Sequence, residues 1–345
     1  MSAVCLKLPV IWVLSILFAA PLTARCGQAE LYPPGGDVIG RRRLDGHFYG
    51  LTKLGATMSG KENYIFRAPK GLEGRELFLD EASVTATEQI LLAAVTARGT
   101  TTLFNAAGEP HVCDLAHFLN TLGAKITGEG TNTITIEGVE KLHGGEYTVI
   151  GDHIEAGSFI ALGVATGAEI TVNGITKRNH WMLHRVYEKL GVKMQLDSHS
   201  IYLPGNQNPR IQCDYGGHIP QISDGPWPQF ASDLMSCTIV SATQFEVTVM
   251  FFEKMFESRI YFVDRLIAMG ANAIVCDPHR VVITGPTKLH GVSLSSPDIR
   301  AGMAMVIAAC CADGSCTIDR ADVIYRGYEH LVDKLRLLGA EVDEK

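Results

Sequence analysis

The sequence predicts an α/β protein of two lobes, each assembled from copies of one helix–strand–helix–strand–strand repeat. Three observations carry that prediction. A tripeptide recurs as Leu54-Gly55-Ala56, Leu122-Gly123-Ala124, Leu190-Gly191-Val192, Met269-Gly270-Ala271 and Leu338-Gly339-Ala340, its glycines 68, 68, 79 and 69 residues apart. Each copy closes a segment whose apolar residues keep three-to-four spacing, as in Leu115, Phe118, Leu119 and Leu122, the signature of a one-sided helix; glycine suits the left-handed residue that stops one. Upstream of each tripeptide lies a longer, almost wholly apolar helical run, usually followed by a glycine and a strand-like stretch. A repeat of about 70 residues exceeds the roughly 20–45 of a solenoid coil, so compact lobes of a few repeats are expected.

The elements follow in chain order. Ile16–Ala24, Gly27 and Glu30-Leu31 match the back half of the apolar helix and its strand, so the chain begins inside a repeat. Two readings compete for the run from Leu8 to Ala20. Lys7 before it and Ala24 after it fit a secretory signal. The repeat pattern instead makes it a core helix whose own beginning is missing or altered, and it is short of the roughly 20 apolar residues a membrane span needs. The next apolar helices are Ile90–Ala97 with Gly99, Phe159–Thr166 with Gly167, Leu234–Ala242 without a glycine, and Met303–Ala312 with Gly314. Lys125–Thr127 and Thr133–Ile136 are typical of the paired strands that follow each tripeptide. The expected organisation is an aberrant N-terminal helix over 1–20, an incomplete first lobe over 21–151 and a second lobe of three repeats over 152–345.

Composition narrows the function. Apolar residues make up 46% and charged residues 19% of 345, which is globular and neither disordered nor collagen-like. The net charge of −7 and pI near 5.9 oppose a general nucleic-acid binder. Nine cysteines, an odd number with no Cys-x-x-Cys pair, oppose both a disulfide framework and a zinc site, and fit a reducing, cytoplasmic compartment. No cofactor, metal or membrane partner is called for.

The candidate chemistry sits in loops. Pro33 to Asp45 is rich in proline and glycine, with Asp37 in its middle and Arg41, Arg42 and Arg43 at its end. An acid beside three cations suits an anionic substrate; a solvated turn has the same composition. Asp233 stands where a Pro-rich loop enters an apolar helix, a place the macrodipole also favours for an acid. Ser296-Pro297-Asp298-Ile299-Arg300 is its counterpart one repeat on, and Glu257-Ser258-Arg259 and Tyr325-Arg326-Gly327-Tyr328 are basic loops after strands. Two near-matches fail. Gly55 to Glu62 imitates a P-loop but has Glu62 for the Ser or Thr and follows a helix; His153-Ile154-Glu155 lacks the Pro-Cys-x-x-Cys of a zinc deaminase.

Six segments together resemble a known family: Pro34-Gly35-Gly36-x-x-Ile39-Gly40-x-Arg42, Ser83-Val84-Thr85-Ala86-Thr87-Glu88, Ile136-Glu137-Gly138-Val139-Glu140-x-Leu142, Phe256-Glu257-Ser258-Arg259, Asp298-Ile299-Arg300 and Arg326-Gly327-Tyr328-Glu329. The resemblance is to UDP-N-acetylglucosamine 1-carboxyvinyltransferase, the enolpyruvyl transferase that begins peptidoglycan precursor synthesis, and runs from about Pro21 to the C-terminus. It implies a two-lobed inside-out α/β barrel with the site between lobes; five of the family's six repeat ends are present here. It implies phosphoenolpyruvate and UDP-N-acetylglucosamine as substrates, and addition of the sugar 3′-hydroxyl to C2 while C3 is protonated and phosphate leaves. Asp37 then stands where the family usually has a cysteine acid, and should resist alkylation by fosfomycin. Asp233 matches the acid near the sugar hydroxyl, Arg42, Arg300 and Arg326 the anion clamp, and Arg259 a further arginine of the site. Arg43, Leu44, Asp45, Gly46 and His47, with Ser83, Val84 and Thr85, match nucleotide-contacting loops, Arg43 replacing a proline; Met255 and Asp298 join the substrate contacts. The family's N-terminal Lys-Asn pair and the arginine before Pro21 have no counterpart, so weak turnover and marginal stability are expected of a chain lacking about one repeat. Two alternatives stay open: the sister enzyme acting on shikimate 3-phosphate, and a nucleotide-sugar-binding remnant without catalysis.

Overall fold

A computed structural model describes residues 13–33, 35, 43–60 and 62–344. Among these, the chain forms two compact units that part between Val149 and Ile150.

The first unit opens with a 3-10 helix, Val13–Phe18, that passes directly into α1 (Ala19–Cys26). Pro21 stands in the first turn of α1, where its missing N–H is harmless. Ile16, Ala19 and Ala20 are buried in the unit's core, and Gly27, at φ +73°, stops the helix. The expected division at residue 20 therefore falls inside a continuous helical segment; residues 1–12 lie outside the described part. β1 (Gln28–Leu31), α2 (Asp45–Lys53), β2 (Thr57–Ser59) and β3 (Tyr64–Arg67) follow, the strands forming an antiparallel sheet β1-β3-β2. The second repeat comprises β4 (Glu76–Phe78), α3 (Val84–Ala94), β5 (Thr100–Phe104), α4 (Pro110–Thr121), β6 (Lys125–Thr127) and β7 (Thr133–Glu137), with sheet order β4-β5-β7-β6.

The second unit repeats the plan. α5 (His153–Thr166), β8 (Ile170–Asn173), α6 (Trp181–Lys189), β9 (Gln195–Leu196) and β10 (Ser200–Leu203) come first. β11 (Gln221–Ser223), α7 (Ser232–Ala242), β12 (Val247–Phe252), α8 (Val263–Ala268), β13 (Asn272–Asp277) and β14 (Arg280–Gly285) follow, in sheet order β11-β12-β14-β13. β15 (Ser293–Ser295), α9 (Ile299–Cys311), β16 (Thr317–Asp319), α10 (Asp322–Tyr325) and α11 (Leu331–Leu337) complete it.

The five tripeptide glycines all have positive φ, between +86° and +105°, directly after α2, α4, α6, α8 and α11. The repeat itself needs one correction. β4, β11 and β15 precede the apolar helix and pair parallel with the strand after it, so these copies read strand–helix–strand before the second helix. A parallel pair requires such a crossover. α5, α7 and α9 pack against one another and are buried on nearly every side, which is why their sequences are apolar throughout instead of on one face. A hydroxyl ties α7 to α5, Ser241 donating to the Ala161 carbonyl at 2.9 Å, and Tyr328, beyond α10, meets Ser158 of α5 at 2.8 Å.

Candidate active site

In the second unit, Asp233 is the second residue of α7, in the first turn, where the helix dipole favours a carboxylate. Two guanidinium groups hold it. Arg259 Nη2 lies 2.9 Å from Oδ1, and Arg300 lies 3.1 Å (Nε) and 3.0 Å (Nη2) from Oδ2. Arg259 begins a 3-10 turn after β12, is only 3% exposed, and stacks over Phe256. Arg300 stacks over Tyr328. Asp233, Arg259 and Arg300, which the resemblance assigned to one site, come from three separate stretches of chain, and the fold brings them to one point. Burial opposes charge on Asp233, but the two arginines outweigh it and hold the carboxyl well below the usual range. It is thus an ionised acceptor, and 37% of its side chain remains open to a donor from outside.

Asp298 caps α9, accepting the N–H groups of Arg300 and Ala301 at 2.9 Å. That is the role an aspartate before an apolar helix signals, and it fixes the backbone from which Arg300 reaches Asp233. Met255 is exposed just beyond β12, and Arg326 is exposed at the C-cap of α10.

In the first unit, Leu44 occupies the N-cap position of α2 and Arg43 pairs with Asp45 at 2.9 Å in solvent. Gly46 lets α2 approach α3, since a Cβ there would stand 3.1 Å from that of Ala86. His47 is buried between Gln89, which it meets through Nδ1, and Thr85 Oγ1, 3.0 Å from Nε2. Ser83 caps α3 by accepting the Ala86 N–H, and Val84 and Thr85 form its first turn, which carries no acid. Such a helix start favours an anion. Asp37 and Arg42 lie outside the described residues. Sequence reasoning missed Gln89, Asp224, Ser232 and Glu253, which act through partners far along the chain; an acid closing the apolar strand β12 was the one available signal for Glu253.

Burial lowers the pKa of His47 from its ordinary value, against the opposing hydrogen bond that the imidazole donates to the Gln89 amide oxygen. The unfolded chain then takes up a proton near pH 6.5 that the folded one resists, so stability from this group is complete above that pH and declines below it. Glu88, raised to about 7 by burial and then by Glu109, works in the opposite sense. The test is therefore a difference: the advantage of wild type over His47→Gln in urea denaturation should shrink from about pH 7 to about pH 5.

Residues 7–335 match the family described as EPSP synthase (3-phosphoshikimate 1-carboxyvinyltransferase). The chain is 53% identical over 331 residues to the UDP-N-acetylglucosamine 1-carboxyvinyltransferase of Treponema denticola, covering 96% of this chain and 78% of that one. It is 52% identical to that of Bradyrhizobium diazoefficiens, covering 95% and 76%. Among solved structures, the enolpyruvyl transferase NikO of Streptomyces tendae superposes with a TM-score of 0.80 at 24% identity, covering 94% of this chain and 76% of that one. EPSP synthase of Acinetobacter baumannii gives 0.70 at 18%, covering 96% and 79%. These two likenesses concern the fold, a mixed α/β architecture.

Proposed function

From the premise that the chain belongs to the EPSP synthase family, and within it to the UDP-N-acetylglucosamine 1-carboxyvinyltransferases, we propose that it transfers the enolpyruvyl group of phosphoenolpyruvate to the 3′-hydroxyl of UDP-N-acetylglucosamine, releasing phosphate, as the first step of peptidoglycan precursor synthesis. The observation that carries this reading to particular atoms is the grip of Arg259 and Arg300 on the ionised Asp233. The reaction needs a proton for C3, an acceptor for the hydroxyl proton and cations for the phosphate and carboxylate.

Asp233 is the acceptor. As it stands, two guanidiniums make it a weak base; an anionic substrate that draws Arg300 away would return its basicity as the hydroxyl arrives. Asp37 supplies the proton to C3. Arg42, Arg300 and Arg326 hold the anionic groups, where a guanidinium fork suits phosphate and carboxylate, and Arg259 keeps Asp233 in place. Arg43 to His47 and Ser83 to Thr85 receive the nucleotide, the acid-free start of α3 suiting its phosphates, with Met255 and Asp298 at the sugar side. The working compartment is the cytoplasm, the reducing environment that suits nine cysteines without a Cys-x-x-Cys pair; no helix among the described residues is long and apolar enough to cross a membrane. The partners are the two small substrates, and the acidic net charge speaks against nucleic acid.

A phosphate-release assay tests the proposal, run beside a calorimetric titration with UDP-N-acetylglucosamine. Release should require both substrates, and shikimate 3-phosphate should not replace the nucleotide sugar. Binding without release would leave a nucleotide-sugar-binding protein; release with shikimate 3-phosphate would assign the sister activity.

A further inference from the structure

Taking the transferase reading as given, we propose that Asp224 and Glu253 are positioning residues: a buried carboxyl pair that shares one proton and thereby directs Arg259 onto Asp233. The two occupy the same place on neighbouring strands. Asp224 follows β11 and Glu253 follows β12, whose parallel pairing ends at Ser223 beside Phe252. Neither side chain is exposed at all. Glu253 accepts the Ser232 hydroxyl, 2.9 Å from both oxygens, and the N–H groups of Met255 and Phe256 at 3.2 Å. Asp224 accepts the Lys254 N–H at 2.6 Å through Oδ1, while its Oδ2 is buried with no hydrogen-bond partner.

Charge balance supplies the proton. Three carboxyl groups, Asp224, Glu253 and Asp233, face two guanidiniums, Arg259 and Arg300, and three ionised carboxylates would leave one buried charge uncompensated. A protonated Glu253 removes that charge and can donate to the orphaned Oδ2 of Asp224. Burial first, and then Asp224, raise the Glu253 carboxyl above the usual range. The other charged groups nearby are committed elsewhere. His279 bonds the Glu253 carbonyl at 2.7 Å, the Lys254 ammonium donates to Ser223, and Arg280 pairs with Asp277. With the proton in place, Arg259 gives its Nη2 to Asp233 at 2.9 Å and leaves its Nε at 4.0 Å from Glu253. Loss of the proton draws that Nε inward and loosens Asp233.

Infrared spectra of the full chain without substrates test the pair. At about pH 8, above the value of about 7 to which Glu88 is raised, wild type should show the carbonyl band of a protonated, water-excluded carboxylic acid, which disappears in Glu253→Gln and in wild type at more alkaline pH. Steady-state kinetics give the consequence. Wild-type kcat should fall on the alkaline side, and Glu253→Gln should lose that decline. Asp224→Asn, which removes the Asp224 share of the upward shift of Glu253 while its burial remains, should move the alkaline decline of kcat to lower pH, with KM for the nucleotide sugar changed less than about twofold. Adding Glu253→Gln to it should remove that decline, as in Glu253→Gln alone. If Asp224→Asn does not fold, the wild-type band and its loss at alkaline pH decide. A missing band with normal turnover overturns the pair; a band without turnover overturns the transferase reading and leaves the shared proton standing.

Discussion

Asp233→Asn should lower kcat by roughly two to three orders of magnitude, the usual cost of removing one preorganised group from a transition state, while KM for UDP-N-acetylglucosamine changes by less than about tenfold. An amide cannot take the hydroxyl proton. Its NH2 would also point donors at Arg259 or Arg300, which now place theirs 2.9 to 3.1 Å from the two carboxylate oxygens. Arg259, 3% exposed, cannot turn to water for a substitute. Asp233→Glu, which keeps the charge but moves it along by one methylene, should recover only part of the loss. A steady-state kcat within about threefold of wild type for Asp233→Asn would remove Asp233 from the chemistry and reduce its role to holding the two arginines.

Gly138→Ala should destabilise the first unit by about 3 kcal/mol, the upper end of what overpacking costs when nothing can yield. A Cβ at this position would stand 1.6 Å from the carbonyl oxygen of Ala97 and 2.8 Å from its carbon. Those atoms are backbone, so no rotamer change relieves the clash. The chain cannot shift either: the Gly138 N–H donates to Gly99 at 2.9 Å and the Val139 N–H to Val95 at 2.9 Å, stapling the end of β7 to the end of α3. The second unit repeats the device at Gly285, where a Cβ would lie 2.6 Å from the Ala242 oxygen. Gly144→Ala is the control; nothing lies within 4 Å of its Cβ, and its effect should stay within about 0.5 kcal/mol. Urea denaturation of both variants gives the comparison, and an unchanged midpoint for Gly138→Ala would mean that the close approach is not kept in solution.

What the sequence by itself determined were the features that local physics sets. The period, the five helix ends and the apolar runs follow from spacing and from glycine's left-handed freedom, both properties of a few adjacent residues. Tertiary structure alone decided the rest. β4, β11 and β15 have three residues each, too few to alternate legibly, and exist as strands because a partner lies beside them after a helical crossover. The grip on Asp233 joins residues 67 positions apart, and the Asp224–Glu253 pair joins the ends of two strands separated by a whole helix. No window of sequence contains both partners of either pair. Their ionisation depends on burial and on which guanidinium lies within 3 Å, quantities that come into being only when α7, β12 and α9 pack.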